Sequence, residues 1–147
     1  MRLMAIFILA LTLAIPAAAP AAEPAENATL YKTPECGCCE DYARYLRRNG
    51  IQVNVVATHD LPQLKKQHGV PEKIESCHTM LIGKYVVEGH VPVSALKKLL
   101  SERPKIKGIS LPGMPEGSPG MGGQKRAPFT IYEIGGGDPE PRVYAVE

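Results

Sequence analysis

Thr29-Leu30-Tyr31-Lys32-Thr33-Pro34-Glu35-Cys36-Gly37-Cys38-Cys39 runs from a β-prone triplet, through a proline break, into three cysteines within four residues. Thr29-Leu30-Tyr31 reads as a short strand, and Thr33-Pro34-Glu35 ends it. Tyr42, Tyr45 and Leu46 then recur at helical spacing until Asn49-Gly50 supplies a stop, which predicts a helix from Cys38 or Cys39 to Arg48. Ile51, Val53 and Val55 alternate with Gln52 and Asn54, the pattern of a half-buried strand. Asp60 suits the cap of a second helix, Leu61 to His68, closed by Gly69. Thr79–Ile82 and Tyr85–Glu88 are β-prone runs joined at Gly83-Lys84, a hairpin signal. Pro92 opens a third helix with Val93, Leu96, Leu99 and Leu100 as its buried face, and Pro104 ends it.

The resulting order is βαβαββα. A parallel pair needs a crossover, so the first two strands are expected parallel and the last two antiparallel. This is an α/β chain with the order of a thioredoxin- or glutaredoxin-like domain. Beyond it, Leu111 to Gly123 is dense in Gly and Pro and fits neither helix nor regular strand. Phe129–Ile134 and Arg142–Val146 then read as an added hairpin on the same sheet, turning through 135–139. The expectation is a single domain over 29–147, with a Gly/Pro/Met loop at 104–128 and the hairpin at 129–147.

Upstream, Arg2 precedes an apolar run, Leu3 to Ile15, of 13 residues. A bilayer core of ~30 Å needs about 20, so the run is too short to span it. Ala19 and Ala21 form an A-x-A pattern, so 1–21 reads as an export signal cleaved after Ala21, followed by a flexible leader at 22–28. An uncleaved anchor is the alternative. All 4 cysteines lie in the exported part, where free thiols oxidise unless something occupies them.

Lys+Arg is 17 against 15 for Asp+Glu, a net charge of +2, which argues against a nucleic-acid partner. Arg47-Arg48, Lys65-Lys66 and Lys97-Lys98 read as solvated helix faces, and His59 and His68 as solvent-exposed.

The chemistry centres on Cys36-Gly37-Cys38-Cys39 between a strand and a helix. A helix start favours thiolates, although Glu35, Glu40 and Asp41 oppose it. Cys36 and Cys39 form a C-x-x-C pair, the spacing of dithiol redox work. In a thioredoxin-like order Ser76-Cys77-His78-Thr79 leads into the third strand, so Cys77 and His78 should arrive beside the cysteine trio, and His78, adjoining Cys77, reads as a metal ligand or a close neighbour of the ligands. Redox members of that fold usually carry a cis proline just before this strand, and here Cys-His stands there. Four thiolates could hold one Zn²⁺. Adjacent Cys38 and Cys39 are expected to point apart, however, which favours bridging thiolates and soft Cu(I), in a cluster of four copper ions as a hypothesis. Met114 and Met121, in the Gly/Pro loop, read either as thioether ligands or as core filling. Met80 reads as core, and His90 as a satisfied surface histidine with a peripheral ligand as the alternative. Two structural disulfides are possible too, but one would close a tiny loop inside the trio and constrain little.

Cys36-Gly37-Cys38-Cys39, Gly69-Val70-Pro71, Ser76-Cys77-His78-Thr79, Glu88-Gly89-His90-Val91-Pro92 and the stretch from Leu111 to Met121 together resemble the DUF411 family, which includes CopG-type copper-resistance proteins of Gram-negative bacteria. The resemblance runs from Thr29 to the C-terminus. It implies a periplasmic, thioredoxin-like copper-handling protein, with Cys36, Cys38, Cys39, Cys77, Met114 and Met121 as metal-site candidates. Other periplasmic copper-resistance proteins are its implied partners. The chain departs from the family at Gly122, where an acidic residue is expected, and at Tyr42, where the aromatic is often Trp. The competing expectation is a thiol–disulfide oxidoreductase using Cys36 and Cys39.

Overall fold

The computed structural model describes residues 27–135 and 140–147. The expected export signal at 1–21, leader residues 22–26 and the hairpin turn at 136–139 lie outside the described residues. The elements run β1 (Asn27–Lys32), α1 (Gly37–Arg48), β2 (Gln52–Ala57), α2 (Leu61–His68), a 3-10 turn (Glu72–Ile74), β3 (His78–Ile82), β4 (Tyr85–Glu88), α3 (Val93–Glu102), β5 (Gly108–Ser110), β6 (Thr130–Ile134) and β7 (Val143–Val146). The strands form one mixed sheet in the order β2-β1-β3-β4-β5-β6-β7. β1 and β2 are parallel, as their helical crossover requires, and β3 and β4 are antiparallel.

Two boundaries differ from expectation. β1 begins at Asn27, so the last two leader residues are strand, because Asn27 and Ala28 pair with Gln52 and Val53. The loop at 104–128 contains β5, which runs parallel to β4 and antiparallel to β6. The hairpin therefore joins the sheet through β5. β5 is only three residues, Gly-Ile-Ser, too short for an alternation to show. Its first residue must be glycine-sized, because a Cβ at Gly108 would fall on the Val86 carbonyl.

Period 2 sorts the strand residues onto two faces. On one, Ala28, Leu30, Met80, Ile82, Val87 and Ile109 pack under α1 and α3. α1 contributes Cys39, Tyr42, Ala43 and Leu46, the i, i+3, i+4, i+7 stripe of an amphipathic helix. On the other face, Val86 and Ile134 pack with Val70 and Ile74, the segment after α2. Lys65 of α2, read as solvated, is instead 4% exposed, because its ammonium reaches a buried carboxylate on β4. His59 is exposed and His68 half-buried.

Candidate metal centre

β1 and β3 lie side by side with Lys32 opposite His78. The chain leaves β1 through Thr33–Cys36 into α1, and reaches β3 at that same end through Ser76-Cys77. The antiparallel pairing thus brings the cysteine trio and Cys77 together. The turn before α1 is braced by Lys32, buried, whose Nζ donates to the Thr33 and Pro34 carbonyls at 3.2 Å each and lies 3.4 Å from a Glu40 carboxylate oxygen.

The Sγ atoms of Cys36, Cys38, Cys39 and Cys77 all lie within 4.8 Å of one another. Cys36 and Cys39 are joined as a disulfide, and Cys38 and Cys77 are free thiols. Cys38 Sγ is 3.5 Å from Cys36 Sγ, and Cys77 Sγ is 3.7 Å from Cys39 Sγ. The expectation that Cys38 and Cys39 diverge is therefore corrected. Successive helical residues are only about 100° apart around the axis. Both sulfurs can reach one pocket at the helix start, while Cys36, extended at φ −74° and ψ 93°, supplies a third from outside the helix.

A second set of donors lies directly behind the sulfurs. Cys39, Cys77, His78 and His90 also form a group whose ligand atoms are all within 4.8 Å of one another. His90, read as a surface residue, is fully buried. The turn that carries it is covered by the Gly/Pro loop, and His90 Nδ1 donates to the Pro119 carbonyl at 2.6 Å. In the neutral ring this leaves Nε2 unprotonated, 3.1 Å from Cys77 Sγ, so the thiol donates to it. A histidine whose far nitrogen is fixed by a backbone carbonyl is the usual arrangement of a metal ligand. His78 is fully buried, with Nδ1 3.4 Å from Cys77 Sγ; its Nε2 has no hydrogen-bond partner among the described residues. The rings of His78 and His90 contact Tyr42 at 4.9 and 5.1 Å between centroids, and the Tyr42 hydroxyl donates to the Val91 carbonyl at 2.8 Å.

The loop from Leu111 to Gly123 is a strap over this end of the sheet. The Ser76 hydroxyl donates to the Gly113 carbonyl, and Gly113 N–H donates to the Glu75 carbonyl at 3.2 Å. Gly120 lies against α1 so closely that a Cβ there would stand 2.5 Å from the Tyr42 nitrogen. Met121 follows it, half-buried, with its N–H on the Ser118 carbonyl at 2.9 Å. Met114 is 53% exposed, and Met80 is fully buried in the core.

Burial governs the protonation of the pocket. The Cys77 thiol is pushed up to about 12, first by desolvation and then by the neighbouring Cys38. Desolvation holds His78 well below its ordinary value, helped by His90 and Lys65, and lowers His90 despite its bond to Pro119. The histidines are therefore neutral and the Cys77 thiol protonated around pH 7, so a cation binding Cys77 displaces a proton there.

A mixed α/β domain that gathers four cysteine sulfurs and two buried neutral histidines in one pocket belongs to the class of candidate soft-metal-binding proteins. Residues 74–121 match the family described as "Protein of unknown function, DUF411". No curated protein matches the chain. One solved structure described as "Copper resistance protein copG- Form 2" is 34% identical, with a TM-score of 0.77 over 84% of this chain and 99% of that one. Another, "Copper resistance protein copG- Form 1", is 35% identical, with a TM-score of 0.76 over 85% of this chain and 98% of that one. The chain belongs to the DUF411 family of CopG-type copper-resistance proteins. No helix among the described residues is long and apolar enough to cross a membrane.

Proposed function

We propose that this protein works in the periplasm after loss of residues 1–21, and that it sequesters Cu(I) on Cys36, Cys38, Cys39 and Cys77. The observation that carries this is the convergence of all four sulfurs within 4.8 Å. Thiolates are soft, and Cu(I) accepts low coordination numbers and bridging sulfur. Four Cu(I) ions on four thiolates form a neutral unit, which suits a half-buried pocket. Loading requires an external dithiol to reduce the Cys36–Cys39 disulfide, passing it two electrons and two protons and itself becoming a disulfide; each thiol then releases its proton to solvent as copper binds. His78 and His90 stand behind Cys77 as neutral donors, and Met121 and Met114 supply thioethers from the strap. Bound copper in turn keeps the thiols from oxidising. The order βαβαββα, with β1 and β2 parallel, supports a thioredoxin-like core for β1 to α3.

Anaerobic Cu(I) titration of the reduced protein, with elemental analysis and X-ray absorption, tests the reading. The expected result is uptake of several copper ions per chain with sulfur neighbours. Saturation at one ion per chain would defeat the cluster.

The Cys36–Cys39 disulfide, with free thiols at 3.5 and 3.7 Å, favours a second reading as a thiol–disulfide oxidoreductase. Insulin reduction separates the two. An oxidoreductase reduces insulin and retains that activity in Cys38→Ser, whereas copper sequestration predicts no turnover and reduced copper content in that variant.

A further inference from the structure

Behind the sulfur pocket, on the opposite face of the sheet, lies a charged pair that the metal reading leaves unused. Glu88 is completely buried and Lys65 is 4% exposed, and the two form an ion pair. Lys65 Nζ also donates to Thr79 Oγ1 at 3.2 Å, and that hydroxyl donates to Glu88 Oε2 at 2.7 Å. Glu88 Oε1 accepts the backbone N–H of Ser76 at 2.7 Å. One carboxylate therefore grips the chain at Ser76 and at Thr79, the residues that bracket Cys77-His78. Its own backbone carbonyl accepts the Leu111 N–H at 3.0 Å, and Gly89 N–H donates to the His78 carbonyl at 3.1 Å. His90 follows two residues later.

Buried ion pairs rarely stabilise a fold beyond what well-packed apolar residues would give, because desolvation offsets the attraction. Thr79 and Glu88 face α2, whereas His78 and the sulfurs face α1, so the carboxylate acts on the pocket only through the backbone. We propose that the Lys65–Glu88 pair is a positioning device that holds the Ser76–Thr79 segment, and so fixes the Cys77 sulfur against the cysteine trio. The pair does the fastening for which a proline is absent from this stretch, with Glu88 as the positioning residue and Lys65 as its counter-charge. The copper arm of the test rests on the Cu(I) reading above; the thiol arm does not.

Two double variants isolate the effect. Lys65→Met with Glu88→Leu replaces the pair by apolar groups and abolishes the bond to Ser76. Lys65→Met with Glu88→Gln is equally uncharged but keeps an amide oxygen that can accept the Ser76 N–H. The proteins are reduced, freed of metal and treated with iodoacetamide, and alkylation of Cys77 relative to Cys38 is followed by peptide mass. Cu(I) affinity is measured separately by competition with a chromophoric chelator. The Leu variant is expected to alkylate faster at Cys77 and to bind Cu(I) about 10–100-fold more weakly, while the Gln variant stays near the parent. Parental values for the Leu variant in both assays overturn the proposal, as does equal loss in both variants. If the Leu variant fails to fold, Glu88→Asp takes its place. It keeps the charge but withdraws the carboxylate from Ser76, and parental Cys77 reactivity there overturns the proposal. If the parent binds no Cu(I), the copper reading falls, and the alkylation ratio alone decides.

Discussion

Cys77 sits between two demands, a half-buried place that keeps its thiol protonated and the proposed copper-ligand role, which needs the thiolate. With the thiol pushed up to about 12, copper arriving near pH 7 must displace a proton at this position. The sign is fixed: uptake releases protons, so apparent Cu(I) affinity rises with pH, by about tenfold per unit for each proton released. Chelator competition between pH 6 and pH 8 measures the slope, and a flat profile contradicts a protonated Cys77. The histidines make the fold depend on pH in the same sense. His78 and His90 are held below the ordinary histidine value, so the unfolded chain binds protons first as pH falls. Stability is complete above the unfolded histidine pKa of about 6.5 and is lost as pH drops below it, with each buried histidine contributing at most ~1.4 kcal/mol per pH unit. Urea unfolding from pH 7 to pH 5 is expected to show this loss, reduced in His78→Gln. The cysteines and His78 were legible from the chain because a C-x-C-C run and a Cys-His pair announce themselves by type. His90 and Lys65 were not. Each owes its burial to a partner distant in sequence, Pro119 for one and Glu88 for the other, and a turn or a lysine pair looks solvated until that partner is known.

At the scale of elements, the helices and the first four strands follow from local patterning, and their pairing follows from the crossover rule. The strap and β5 do not. Gly-Ile-Ser carries no periodic signal, and β5 exists because Gly108 admits the Val86 carbonyl and two long neighbours complete its ladder. Gly-Pro density likewise shows that Leu111–Gly123 is irregular, without showing that it folds back over the pocket. Gly120 tests that placement. Its φ is +82° and a side chain would meet the Tyr42 backbone, so Gly120→Val should destabilise the protein by about 1–3 kcal/mol. If the strap shields the site, that variant also alkylates faster at Cys77. Thermal unfolding and iodoacetamide kinetics read the two effects separately; an unchanged melting temperature would mean that the strap does not lie against α1.

For the whole molecule, the disulfide and the proposed four-sulfur copper site exclude each other. A sulfur in a Cys36–Cys39 bond is no longer a thiolate, so the oxidised protein offers only Cys38 and Cys77 as anionic sulfur ligands. Oxidation with diamide is expected to remove most Cu(I) uptake and dithiothreitol to restore it, measured by elemental analysis after desalting. Undiminished copper content after oxidation would place the metal elsewhere. The bridge itself closes a short loop and constrains the unfolded chain by only about 2 kcal/mol, so its reduction should leave the fold intact for loading.

β3 alternates His78 toward α1 with Thr79 toward α2, and the ladder sets Thr79 against Glu88. Adding or deleting one residue at the Gly83-Lys84 turn, so that the hairpin slides by a single step, would carry the carboxylate through the sheet to the sulfur side. An anchor on the reverse face would then become a hard oxygen donor among soft ones, favouring ions such as zinc over cuprous copper. If the pocket takes cuprous copper as proposed, its preference for that ion depends in part on the length of the two-residue turn at Gly83-Lys84.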